Sequence, residues 1–238
     1  MKTIKQFSFF TLLLFAATSC IEEFNIHGNG VEATEARAVS MFSKVKSSGD
    51  FDIQIINGDE LEVLVTAEEN ILPYIGTSVS NNTLLVDIQG IHNVRNRLPM
   101  SILITVPQLV SVKQSGSGSI TTDYFSGDEM EFSLSGSGSI SADVDADLVV
   151  ASISGSGWIL ITGDSNESDL NISGSGNIDS SELAVDNCNA HISGSGNMQV
   201  NALKLITAKI SGSGNVYYSG NPVTEANISG SGKLVHRN

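Results

Sequence analysis

Asp143, Asp145 and Asp147 stand at every second position, separated by Val144 and Ala146. In an extended chain that spacing puts three carboxylates on one side of a strand, where hard oxygen donors could hold a cation such as calcium. The run matches the first three ligand positions of an EF-hand loop, but Leu148 takes the glycine position and Ser154 the position of the bidentate glutamate. A weak calcium site and a solvated acidic edge both fit these residues. Trp158 is the only tryptophan. Its flat ring suits stacking on a sugar or contact with a protein, with cover by a neighbouring loop as the competing reading. Serines are abundant near acids, yet no Gly-x-Ser-x-Gly elbow is present. His27, His92, His191 and His236 include no pair at metal-ligand spacing. No catalytic residue, metal or cofactor is expected, and Trp158 is the one candidate ligand contact.

The amino terminus carries a different chemistry. Lys2 and Lys5 precede the apolar run Phe7 to Ala17, followed by Ala17-Thr18-Ser19-Cys20. The run is too short to span a bilayer, and small residues ending at a cysteine resemble the lipobox of bacterial lipoproteins. Residues 1–19 are thus expected to be a lipoprotein signal peptide and Cys20 the lipidated residue; a conventional cleavage site before an unmodified Cys20 is the alternative. Glu22 and Glu23 resemble the surface-export signal of Bacteroidota lipoproteins, although a solvated tether would look the same. The expected location is the outer membrane, with the lipid as the sole membrane attachment and either the cell surface or the periplasm as the side faced. Loss of two lysines with the leader takes the formal charge from -14 to -16. Between Ser115 and Leu203 there is no Lys or Arg but 13 of the 26 acidic residues, which argues against nucleic acid as a partner. With Cys20 lipidated, Cys188 has no disulfide partner and reads as a small buried hydrophobe.

The elements that position these residues announce themselves by repetition. Ser-Gly-Ser-Gly begins at Ser115, Ser135, Ser154, Ser173, Ser193, Ser211 and Ser229, a period of 18 to 20 residues. A constant anchor at that period implies one backbone coil per repeat, since no coil can bury its apolar face alone. Parity is conserved through the motif. Leu134, Ile153, Ile172, Ile192, Ile210 and Ile228 precede it, while Ile120, Ile140, Ile159, Ile178, Met198, Val216 and Leu234 follow two places after its last glycine. Residues of one parity face one side of a strand, so the apolar residues and glycines point inward and the serines outward. Trp158 falls on an outward position held elsewhere by Ser119, Ser139, Asn177, Asn197, Asn215 and Lys233. The three asparagines are expected to exchange side-chain hydrogen bonds between coils.

Upstream, Phe51–Ile55, Leu61–Val65, Leu84–Ile88 and Ile102–Val106 read as strands, and Glu68–Ile75, broken by Pro73, as at most a turn or two of helix. The expected fold is all-β: a single-stranded parallel β-solenoid, or β-helix, right-handed as the expected hand. Residues 20–38 are expected to form a tether and residues 39–238 one solenoid domain, irregular over 39–112 and regular over 113–238.

Gly28-Asn29-Gly30, Arg37-Ala38-Val39 with Phe42, Gly49-Asp50-Phe51-Asp52-Ile53, Ala67 to Leu72 with Asn70, Val106-Pro107 with Leu109, and Ser115-Gly-Ser-Gly occur in that order. Together they resemble the head GIN domain family of auto-transporter adhesins, over residues 28 to 235. The resemblance implies a parallel β-solenoid and an adhesin-like role, with no catalytic residues to carry over. The expected function is a lipid-anchored envelope adhesin binding a glycan or surface protein, and not an enzyme. A neutral-glycan hydrolase or lyase on a β-helix, or a ligand-free envelope scaffold, are the alternatives. Oligomeric state stays open.

Overall fold

The computed structural model describes residues 24–90 and 92–237; the expected signal peptide, residues 1–19, and Cys20 lie outside the described residues. The amino-terminal part contains strands β1 (Phe24–His27), β2 (Glu32–Ala36), β3 (Lys44–Ser48), β4 (Asp52–Asn57), β5 (Glu62–Glu68), β6 (Ile75–Ser80), β7 (Thr83–Ile88), β8 (His92–Arg95), β9 (Ser101–Val106) and β10 (Ser111–Gly116). The repeats form β11 (Ser119–Gly136), β12 (Ser139–Gly155), β13 (Trp158–Gly174), β14 (Asn177–Gly194) and β15 (Asn197–Gly212), followed by β16 (Asn215–Ser219), β17 (Val223–Gly230) and β18 (Lys233–His236). From β10 onward each strand pairs in parallel with the coil before and after it, as the repeat requires. The protein is a parallel β-solenoid.

Alternation builds the core. Ile140, Ile159, Ile178, Met198 and Val216 stack in one buried column, and Leu134, Ile153, Ile172, Ile192 and Ile210 in another. A third column mixes sizes: Val112, Phe132, Ala151, Leu170, Ala190 and Ala208. Cys188 is buried on Ser168 of the coil below, and burial pushes its thiol up to about 11. It is a core residue. On the last described coil the same columns come to the surface, and Ile228 is 40% exposed.

Each tetrapeptide makes a corner. The first glycine of each copy has φ between 120 and 134°, a region that L side chains rarely adopt. In the first six copies its carbonyl accepts two N–H groups from the next coil, as Gly136 does from Ser156 at 2.9 Å and Gly157 at 3.1 Å. Tight stacking and unusual backbone thus coincide at one residue.

The irregular part begins with a rung hidden in the sequence. Ser48-Gly49 aligns beneath Ser115-Gly116, and Gly49 has φ 139°, so β3 and β4 form a degenerate coil below β10 and β11. Not every early strand is a coil, however. β5 runs antiparallel to β2 and β9, and β6 antiparallel to β7. Asn81 and Asn82, with φ of 49 and 60°, supply the two left-handed residues that a two-residue hairpin needs to reverse the chain. The expected helical turn is a single 3-10 turn at Leu72–Tyr74. The tether assigned to residues 20–38 is also shorter than expected, because β1 and β2 pair with β8 and β5 and Ile26 and Ala33 pack on the core.

Glu68 fastens that amino-terminal layer. Its carboxylate has no solvent exposure, sealed under a shallow cover of loop, and accepts N–H groups of Gly30 at 2.6 Å, Arg97 at 2.7 Å and Leu98 at 3.4 Å. Burial by itself raises a carboxyl pKa; here the three donors and the Arg97 charge outweigh it and hold Glu68 below its ordinary value. A depressed folded pKa contributes stability above the unfolded value that is lost as pH falls through the folded one. Acidification is therefore expected to release Gly30 and Arg97 before the coils, read as faster amide exchange at those sites after correction for intrinsic rates. Glu68→Gln should reproduce the release at neutral pH. Protection of both amides down to the pH of global unfolding would remove this role.

Candidate functional site

One side of the solenoid is built from the first outward residues after each corner. In register these are Ser101, Asp52, Ser119, Ser139, Trp158, Asn177, Asn197, Asn215 and Lys233. Two residues further along each strand runs a second outward row that includes Leu160, Asp179, Gln199 and Tyr217. Period-two alternation fixes both rows because the opposite parity fills the core. Trp158 takes its expected outward place and is 41% exposed.

The asparagines behind it form the expected ladder. Asn197 donates through Nδ2 and its backbone N–H to Asn177 Oδ1 at 3.3 and 3.2 Å, and Asn215 does the same to Asn197 at 3.1 and 3.2 Å. These bonds lock the amide planes. At the Trp158 end, Asn177 Nδ2 makes no bond among the described residues and is free to donate outward.

Trp158, Asp179, Asn197, Gln199, Tyr217 and Arg237 line a 320 Å³ hollow over this ladder. Trp158 and Tyr217 lie three rungs apart, about 14 Å at the strand spacing. Arg237 lies 3.8 Å over the Tyr217 ring and donates to Gln199 Oε1 at 3.2 Å, while Gln199 Nε2 donates to Asp179 Oδ2 at 3.2 Å. Asp179 also accepts the Ser181 hydroxyl at 2.6 Å. The result is an aromatic at each end and a fixed row of amide, carboxylate and guanidinium groups between. Beyond Ser139, a second hollow of 380 Å³ includes Asp52, Gln54, Ser101, Ser119 and Thr121. Each hollow is lined by one carboxylate, so neither holds the carboxylate pair of a glycoside hydrolase.

Tyr217 and Arg237 were not singled out from the sequence. Tyr217 could have been found by counting one outward place, two residues, past Asn215; Arg237 lies outside the repeat pattern and reaches the site only through folding. The aspartates behave differently from a metal loop. Asp143 accepts from Thr162 at 3.3 Å, Asp145 from the Tyr124 hydroxyl at 3.4 Å and Asp147 from Asn166 at 2.7 Å. Each is drawn to its own partner, and among the described residues no three His, Cys, Asp or Glu side chains converge as metal ligands.

Stacked parallel coils with one ordered polar and aromatic face define a repeat protein of the β-solenoid class. The sequence profile described as "Putative auto-transporter adhesin, head GIN domain" matches residues 41–222, and the chain belongs to that family. Its fold is shared with a putative adhesin from Bacteroides fragilis, at 24% identity and a TM-score of 0.85 over 89% of this chain and 100% of that one. A putative adhesin from Parabacteroides merdae aligns at 24% identity and a TM-score of 0.75, covering 90% and 100%. A putative lipid binding protein from Parabacteroides distasonis aligns at 24% identity and 0.76, again covering 90% and 100%. No curated protein matches the sequence.

Proposed function

We propose that the protein is a lipid-anchored outer-membrane adhesin, facing the cell surface, whose Trp158 face binds a glycan. The observation that carries this reading is the half-exposed Trp158 ring at the head of an immobilised amide ladder. A ring face takes the apolar side of a sugar, while Asn177, Asp179, Gln199 and Arg237 offer donors and acceptors already held in place, so little ordering entropy is spent on binding. The Cys20 lipobox and the family's adhesin description support the envelope location. One carboxylate per hollow favours binding over hydrolysis.

A glycan-array screen of the mature protein tests this. Trp158→Ala is expected to weaken the best hit by about 30-fold, the loss typical of a central aromatic anchor, without lowering thermal stability. Equal binding by both proteins, or no hit at all, would reject the reading.

A further inference from the structure

A separate hollow of 370 Å³ lies at the amino-terminal end of the other lateral face, the one carrying the tetrapeptide serines. Lys44 and Lys46 project from β3 and Lys113 from β10, with Lys46 directly paired to Lys113 in register. Like charges facing each other across neighbouring strands are unfavourable, and the following coils, 115–203, avoid cations altogether. Glu131 is the one carboxylate lining this hollow, and it is already committed, bonded to Lys113 Nζ at 2.8 Å and to the Ser111 hydroxyl at 3.0 Å. Burial raises the Glu131 pKa, but Lys113, Ser111 and Lys44 together bring it below its ordinary value. It is therefore ionised, and three ammonium groups against one carboxylate leave the hollow with two positive charges in excess. Neither Lys44 nor Lys46 has an ion-pair partner among the described residues. Ser80, Asn81 and Thr83 of the β6–β7 turn complete the wall with further polar groups.

We propose that this hollow binds a single anionic substituent, a sulfate or carboxylate, carried by a sugar unit of a glycan. Ammonium groups and hydroxyls lining one hollow are donors that an oxyanion takes up as charge-assisted hydrogen bonds. The coils that follow this hollow, 115–203, carry acids and no Lys or Arg, so an extended polyanion running along them would meet like charge within a few rungs. A mostly neutral glycan would not. Its uncharged units have a place to lie, because Lys113 continues in register into Ser133, Ser152, Asn171 and His191, along a 290 Å³ trough walled by hydroxyls. This site shares no residue with the Trp158 face.

The test uses the mature chain, titrated by NMR with sulfated lactose, lactose, inorganic sulfate, and vesicles containing phosphatidylglycerol. Sulfated lactose is expected to shift the Lys46 and Lys113 amides and to bind at least about tenfold more tightly than lactose, the range of one charge-assisted contact. Lys44→Gln with Lys46→Gln should abolish that difference, and Trp158→Ala should leave it intact. Equal affinity for the two sugars, or an unchanged double variant, would overturn the proposal. Inorganic sulfate binding as tightly as sulfated lactose would make the ligand a free anion, and lysine-dependent vesicle binding that displaces the sugar would make it a lipid headgroup; either result also overturns it.

Discussion

Gly174→Ala is expected to cost about 3 kcal/mol and to lower the thermal midpoint by roughly 10 °C. An alanine Cβ at this position would stand 2.5 Å from the carbonyl oxygen of Gly155 and 3.2 Å from its nitrogen. Backbone cannot turn aside as a side chain could. Relief requires the coils to separate, weakening the bonds that Gly155 O accepts from Ser175 at 2.9 Å and Gly176 at 3.0 Å. The residue must also hold φ at 129°, which adds conformational strain for any side chain. Gly127 is the control within the same fold. Its Cβ would meet nothing closer than Met130 Sδ at 3.9 Å, so Gly127→Ala should leave the midpoint unchanged or raise it, by restricting the unfolded chain by about 0.5 kcal/mol. Calorimetry of the two variants decides the matter, and equal midpoints would show that the corners do not need glycine.

Phe132→Ala should be as damaging, by about 3 to 5 kcal/mol, for the opposite reason. Phe132 is fully buried between Val112 below and Ala151 above. Neither neighbour is large enough to fill the space that the ring would leave. Alanine is not foreign to the column, since Ala151, Ala190 and Ala208 occupy the same place in later coils. The backbone therefore accepts the substitution, and the loss reports the cavity alone. Ile178→Val, one methylene lost from the neighbouring column, should cost about 1 kcal/mol. Chemical denaturation separates the two, and a Phe132→Ala cost no larger than that of Ile178→Val would mean that the coil closes on itself.

What could be read ahead of the structure was whatever each repeat says again. The inward column from Ile140 to Val216, the Asn177–Asn197–Asn215 ladder and the outward place of Trp158 all follow from one parity applied seven times, and burial follows it up to the last coil, where Ile228 comes to the surface. Where the repeat stops, so does that inference. Ser48-Gly49 is a rung, but Phe51 stands where later copies have their second glycine, so the tetrapeptide is lost to the eye. The reversal of β6 into β7 depends on left-handed backbone at Asn81 and Asn82, and the docking of β1 and β2 on a buried carboxylate at Glu68, neither of which has any periodic signal. The hollow under Trp158 needs Arg237, and the basic hollow needs Lys46 set against Lys113. Such pairs lie tens of residues apart, and only the register of the stack brings them together.

The corner carbonyls have a wider consequence for how such a protein can change. Because each coil is bonded to the one below and the one above by the same pair of N–H groups, its packing problem is solved locally and in the same way at every level. Duplicating one 19-residue stretch would lift everything beyond it by about 4.8 Å while leaving both flanking interfaces as they were. The length of the rod is then a matter of counting storeys, and genetic drift can adjust it without designing a new core.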